Sequence, residues 1–238
     1  MTWSIIARDA SGAFGIAIAT RFFAVGSLCP HAQSGVGALS TQALMNPHYG
    51  AQGLALLRDG VAAPEVVKRL IAPDEGREQR QVHVIDSAGR IGQHTGRQCV
   101  DWCGAVSGDG YSVAGNMLAN DRVVRETAKA YQGSKKAFAE RLIGALEAGE
   151  AAGGDKRGKQ SAALLIHGEE EWSELNLRVD DHTDPLRELA RLEEVSRERW
   201  VHFRPFLPTR KNPAGITDRA TIDAGIEAGI KAATAGKA

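Results

Sequence analysis

Thr2-Trp3-Ser4-Ile5-Ile6-Ala7-Arg8-Asp9 opens the chain behind Met1, and Ala13-Phe14-Gly15-Ile16-Ala17-Ile18-Ala19-Thr20 follows it across Asp9-Ala10-Ser11-Gly12. Both runs favour β-structure with period two, and the residues between them are turn formers, so they predict an antiparallel hairpin. In the first strand Thr2, Ser4, Ile6 and Arg8 share one face, while Trp3, Ile5 and Ala7 share the other. In the second, Gly15, Ala17 and Ala19 make a face almost without bulk. Tight packing is the expectation there, and room for a ligand the alternative.

Working outward, residues 34–43 read as a third strand ended by Asn46-Pro47. Helices are predicted at about 48–58 and 64–72, the second with Pro64 in its first turn. Gln81–Asp86 and Arg90–His94 form one hairpin, and Ala105–Ser107 and Tyr111–Asn116 another. Two helices follow at about 120–131 and 135–149, the second with Ala139, Leu142 and Leu146 on one stripe. Beyond a glycine-rich loop come an apolar strand, Gln160–His167, a returning strand within 172–179 and an amphipathic helix at about 185–200. Hairpins in blocks between helix pairs exclude a parallel βαβ sheet and define an α+β class. The strands at 13–20 and 160–166 are apolar or small on both faces, so each needs cover on both sides. That points to a four-layer αββα sandwich over residues 1–204. Residues 205–238 form an appendage in which Pro205, Pro208 and Pro213 interrupt structure. There Ile222, Ile226 and Ile230 recur at i, i+4. A short helix could dock on the domain or on a neighbouring subunit, with a homodimer as one assembly open to the chain; a disordered tail is the alternative.

The chain has 238 residues, 43% hydrophobic and 24% charged, enough for a sizeable core. Twenty-nine Lys and Arg balance 29 Asp and Glu, so no overall field recommends nucleic acid or an anionic membrane as a partner. The longest apolar run is too short to span a bilayer. With three cysteines, no disulfide framework and no basic-then-apolar leader, the cytoplasm is the expected compartment.

Thr2 is the first residue with chemical promise. A small second residue normally permits removal of Met1, which leaves a hydroxyl and a free α-amine on one residue. Such an amine has a reference pKa of roughly 7.7–8.0 and can act as base for its own hydroxyl. The loop Gly153-Gly154-Asp155-Lys156-Arg157-Gly158-Lys159 nearly matches a phosphate-binding loop. It fails because Gln160 stands at the hydroxyl position and the order is helix–loop–strand. It offers instead Asp155 and Arg157 as a carboxylate clamp, with Ser161 able to hydrogen-bond an α-amine. Asn116, after Gly115, is a candidate oxyanion donor. Arg21 could orient a substrate or pair with Asp9, and Thr41-Gln42 and Asn46 are further polar candidates. The candidate set is thus Thr2, Asn116 and Ser161 for catalysis, with Arg21, Asp155, Arg157 and Gln160 for substrate binding. Cys99-x-x-x-Cys103 with His94 lacks the paired clusters of a zinc site, and Asp180-Asp181-His182 reads as a capping turn. No metal and no cofactor is expected.

Met1-Thr2-Trp3-Ser4-Ile5-Ile6-Ala7-Arg8-Asp9, Ala19-Thr20-Arg21-Phe22, Thr41-Gln42-Ala43, Asn46-Pro47-x-Tyr49-Gly50, Gly108-Asp109-Gly110-Tyr111, Gly115-Asn116 and Gly153-Gly154-Asp155-x-Arg157-Gly158-x-Gln160-Ser161-Ala162 resemble one bacterial family in order, over about residues 1–200. It is the domain-of-unknown-function family ten-twenty-eight, placed in the N-terminal-nucleophile (Ntn) hydrolase superfamily. The resemblance implies the αββα fold and hydrolysis of a small-molecule amide or peptide-like substrate through an acyl-enzyme on Thr2. A catalytically silent Ntn-fold protein that binds a small metabolite is the alternative. Proteasome-type members use a Lys and an Asp near the nucleophile; the early strands here show Arg21 and no such Lys.

Overall fold

The computed structural model describes residues 2–155 and 157–235. They form two compact units that divide after Leu189. The predicted hairpin is present as β1 (Thr2–Arg8) and β2 (Phe14–Thr20), with Thr2 opposite Thr20 and Arg8 opposite Phe14. A short strand that the sequence reading missed, β3 (Pro30–Gln33), precedes β4 (Gly37–Ala43). Helices α1 (His48–Arg58) and α2 (Ala63–Ile71) follow, then β5 (Arg80–Asp86), β6 (Ile91–Thr95), β7 (Trp102–Gly108) and β8 (Tyr111–Leu118). After α3 (Arg122–Gly133) and α4 (Phe138–Ala151) come β9 (Ser161–His167), β10 (Leu175–Val179) and α5 (Pro185–Ser196).

The strands make two antiparallel sheets, one of six in the order β10-β9-β2-β1-β8-β7 and one of four in the order β3-β4-β5-β6. The first strand, β1, therefore lies in the middle of the larger sheet. That position explains why β1 and β2 are buried along nearly their whole length. Ile6, Phe14, Ile16 and Leu165 of the six-stranded sheet pack against Ala38 and Ile85 of the four-stranded one. Each such side chain contributes on the order of 1.5–3 kcal/mol when fully buried, although Ala contributes less. Helix α4 lies against β2 and α3 against β8; α1 lies against β4, and α2 against β5 and β6. The small-residue face of β2 is decided by packing. A Cβ at Gly15 would run into Leu142 and Phe138 of α4.

The Asn46-Pro47-x-Tyr49-Gly50 stretch proves to be a clamp at the start of α1. The Tyr49 hydroxyl donates to Asp74 Oδ2 at 2.6 Å, Asn46 Nδ2 donates to the same oxygen at 3.3 Å, and Arg80 Nε does so at 3.1 Å. Burial opposes the Asp74 charge, but these bonds and the Gly76 N–H outweigh it and hold its pKa below the usual carboxylate range. Arg80 Nη1 also donates to the Leu44 carbonyl, so the loop after β4 is tied to the same carboxylate. Gly50 is required by space, because a Cβ there would sit on the His31 imidazole. Gly50→Ala is expected to cost about 1–3 kcal/mol in urea unfolding, with part of the loss recovered when His31→Ala is added.

The second unit contains α6 (Trp200–Phe203) and α7 (Arg219–Ala235). Within it Arg199 pairs with Asp223 at 3.2 Å, and Gly225 and Gly229 give close passage to Phe206 and His202. Ile222 and Ile226 of the predicted stripe are buried, and Ile230 is exposed. Among the described residues no helix is long and apolar enough to cross a membrane.

Candidate active site

Thr2 starts β1 with β2 on one side and β8 on the other. Its Cα partners are Thr20 and Asn116, which places three polar residues in one row across the sheet. Thr2 and Asn116 are both buried. The Thr2 hydroxyl is 3.0 Å from the hydroxyl of Thr20, so the group it meets is neither a carboxylate nor an imidazole. Met1, whose removal the sequence reading requires, lies outside the described residues.

Two cavities flank this row and share Ala43 and Leu44 as a common wall. The first, of about 240 Å³, has Thr2, Thr20 and Gln42 as its polar lining; Phe22, Val25, Cys29 and Met45 are apolar, and Arg157 is the cation among its described lining residues. Desolvation pushes the Cys29 thiol up to about 12, so it is a protonated, apolar wall with its Sγ 3.5 Å from Met45 Sδ. The second cavity, of about 390 Å³, is lined by Asn116 and Met117 together with Gln79, Gln98, Cys99 and Val100. Phe22, Leu44 and Val100 are each more than half exposed and give the cavities an apolar rim.

Backbone strain gathers at the same place. The non-glycine residues with positive φ are Ala24 (52°), Ala43 (67°), Asp101 (56°) and Met117 (55°) among the described residues. Ala43 and Met117 line the cavities, and Ala24 and Asp101 adjoin the lining residues Val25 and Val100. Each left-handed residue costs about 1–2 kcal/mol, and such strain concentrates where a surrounding structure imposes it for function.

The glycine-rich loop reaches the site through an isolated bridge between Asp155 and Leu118, two residues beyond Asn116. Gly153, Gly154 and Gly158 all take positive φ, which is what the loop needs glycine for. The Asp155 side chain is fully buried. It accepts the backbone N–H groups of Arg157 at 2.7 Å and Arg21 at 3.2 Å, and its Oδ2 is 3.3 Å from Arg157 Nη2. It thereby holds Arg157 at the rim of the first cavity. The Arg157 side chain is 46% exposed, so solvent screens the charge pair and the backbone bonds carry much of the energy. Asp155→Asn is expected to lower unfolding free energy by about 1–3 kcal/mol in urea titrations, through weakened acceptance of two N–H groups by a buried side chain.

The remaining sequence candidates stand apart from Thr2. Ser161 is paired with Thr20 across β2 and β9; its hydroxyl donates to the Phe22 carbonyl at 2.6 Å and accepts the Val25 N–H at 3.1 Å. It shapes the cavity wall from behind. Gln160 turns to Asp181 at 3.0 Å, and Arg21 is exposed, joined to the site through its backbone. Asp180 is occupied by Arg178, and His182 Nδ1 accepts the Asp184 N–H. His94 bonds the Arg77 carbonyl, and no group of three or more potential metal ligands occurs among the described residues.

What the sequence reading did not find is a buried polar chain between the sheets. The Ser4 hydroxyl donates to Gln42 Oε1 at 2.7 Å, so the 2.9 Å contact with His83 Nε2 must have the imidazole as donor. His83 Nδ1 is then the acceptor for Ser112 Oγ at 2.9 Å, and Gln93 Nε2 donates to that serine at 2.8 Å. Desolvation holds the His83 pKa down to about 3, in keeping with this neutral tautomer. The chain continues from Gln42 Nε2 to Gln81 Oε1 at 2.7 Å, and the same oxygen accepts Asn116 Nδ2 at 3.1 Å. The direction of every bond fixes the Asn116 amide: its nitrogen faces Gln81, and its Oδ1, fully buried, has no hydrogen-bond partner.

Fold and site together define a mixed α+β protein whose first strand, at the centre of a six-stranded antiparallel sheet, presents a threonine to a strained, apolar-rimmed cleft. The chain belongs to the family of unknown function DUF1028, whose model matches residues 2–189. The crystal structure of a protein from Silicibacter pomeroyi, described with the same family model, is 30% identical with a TM-score of 0.85; the match covers 92% of this chain and 96% of that one. Anbu, the ancestral beta-subunit from Yersinia bercovieri, matches at 13% identity and a TM-score of 0.39, over 82% of this chain and 94% of that one. No curated protein matches the chain.

Proposed function

We propose that the chain is an amidohydrolase of the N-terminal-nucleophile kind, built on that superfamily's four-layer αββα sandwich. The observation that carries the reading is Thr2, mid-sheet, with its hydroxyl row lining a 240 Å³ cavity against Arg157. The layered reading is supported by two facing sheets with α3 and α4 on one and α1 and α2 on the other. Once Met1 is gone, the Thr2 α-amine takes the hydroxyl proton as Oγ1 bonds to the amide carbonyl carbon. The second hydrogen on Asn116 Nδ2 and nearby backbone N–H groups steady the oxyanion. Collapse breaks the C–N bond, the amine leaves with the proton held by the α-ammonium, and water then hydrolyses the ester. Arg157, fixed in place by Asp155, holds the substrate at the cavity mouth.

The test is intact-protein mass after mixing with a panel of N-acyl amides. Loss of Met1 and a transient acyl adduct on the Thr2 peptide are expected. A retained Met1 or an acetylated amine would instead favour the second reading, a silent metabolite-binding protein. That reading is supported by the Thr2 hydroxyl meeting the hydroxyl of Thr20, a group that does not titrate near neutral pH.

A further inference from the structure

The geometry points to the second cavity as the subsite for the amine half of the substrate, and to that half being an uncharged, hydrogen-bond-donating group such as an amino-acid amide or a hydroxyl-bearing amine. This inference rests on the hydrolase reading of Thr2. Three observations carry it. The cavity shares its Ala43–Leu44 wall with the Thr2 cavity, and Asn116, the residue beside Thr2 across the sheet, lines it, so one molecule can occupy both halves across the nucleophile. The Asn116 amide carries a buried Oδ1 with no donor, and the hydrogen-bond chain through Gln81 prevents it from turning to find one. An unmet buried acceptor is costly, and a ligand N–H or O–H recovers that cost. Of the two halves of an amide, the acyl half brings acceptors and the amine half brings donors.

The lining settles the charge. Gln79, Gln98 and Asn116 supply neutral amides, and the cavity has no carboxylate, ammonium or guanidinium among its described lining residues. A charged amine half would be desolvated there without a counter-ion. The first cavity, with Phe22, Val25 and Met45, is left for an apolar acyl group.

The experiment measures binding to the Thr2→Ala protein by calorimetry, with phenylacetyl derivatives of L-serinamide, L-glutaminamide, L-leucinamide, L-lysinamide and L-aspartate, and with phenylacetate alone. The serinamide, glutaminamide and leucinamide derivatives, uncharged and each carrying carboxamide N–H donors, are expected to bind at least about tenfold more tightly than the lysinamide and aspartate derivatives, whose charges would be desolvated there without a counter-ion. Gln98→Glu, at an exposed position, should raise affinity for the lysinamide derivative about fivefold or more, the gain a new carboxylate gives a cation, and leave phenylacetate binding unchanged. Equal affinities across the panel, no binding by any member, or a Gln98→Glu effect that is the same for phenylacetate would each overturn the assignment. Turnover by the unmodified protein separates the two readings. Hydrolysis indifferent to the amine half sinks the subsite and keeps the hydrolase. The expected binding order without Thr2-dependent hydrolysis sinks the hydrolase and keeps the subsite.

Discussion

Thr2→Ala is expected to lower the turnover of any amide substrate by at least ~1,000-fold while leaving a cooperatively folded protein. The size of the effect follows from the single hydroxyl: it is the only protein atom in the proposed mechanism that forms a bond to the carbonyl carbon, and among the described residues no neighbour of Thr2 offers an equivalent. Thr20, 3.0 Å away, has a hydroxyl but no free amine beside it to take the proton. The fold should survive because what is lost is one hydroxyl–hydroxyl bond, about 0.5–1.5 kcal/mol, at a position where alanine fills the same backbone. Thr2→Ser keeps both hydroxyl and amine and should retain measurable activity. Rates are to be measured alongside urea unfolding curves for all three proteins. An alanine variant that works at the parent rate would remove the nucleophile from the mechanism.

A steep loss of stability in mild acid is the second large effect, and it belongs to His83. Desolvation in the folded protein lowers its pKa from 6.5 to about 3. Between those two values the unfolded chain binds a proton that the folded chain refuses, so stability rises with pH across that window. The contribution is complete above about pH 6.5 and is lost as pH falls toward 3, with a slope of up to about 1.4 kcal/mol per pH unit. The proton is refused for a structural reason. Both nitrogens are sealed between the sheets, away from the water that would solvate an imidazolium, and Nδ1 already accepts from Ser112. His83→Gln should lose about 1–3 kcal/mol at neutral pH by interrupting the chain, yet show a shallower decline on acidification. Unfolding free energies measured between about pH 4 and 8 for both proteins decide it; parallel slopes would assign the acid sensitivity to other groups.

The family-like Asn46-Pro47-x-Tyr49-Gly50 and Gly-rich segments show how differently two motifs can be read. The second announced its Asp155–Arg157 pair because the two residues lie two apart and the loop's glycines give them conformational freedom. The first looked like a source of polar site residues; its Asn and Tyr are spent on Asp74, which no local pattern could connect to them. Ser161, Gln160 and Arg21 were drawn toward the site by proximity in sequence, but β2 stands between Ser161 and β1 and takes up the intervening distance. In Gln81-Val82-His83-Val84 the alternation separates a polar from an apolar face, a pattern that in an isolated hairpin would leave the polar face in water. Packing of the second sheet onto it buries that face instead.

Strand periodicity, turn residues and helix stripes are local properties, so the succession of hairpins and helix pairs apart from β3, the α+β class and the threonine that opens β1 were all determined by sequence alone. Tertiary structure decided that β1 lies at the centre of its sheet, that Ser4 meets His83 across 79 residues, and that the Asn116 amide turns its nitrogen to Gln81 and leaves Oδ1 buried without a partner among the described residues. The physical reason is that a hydrogen bond's direction depends on what each partner already gives away, and those partners are brought together only when the two sheets close.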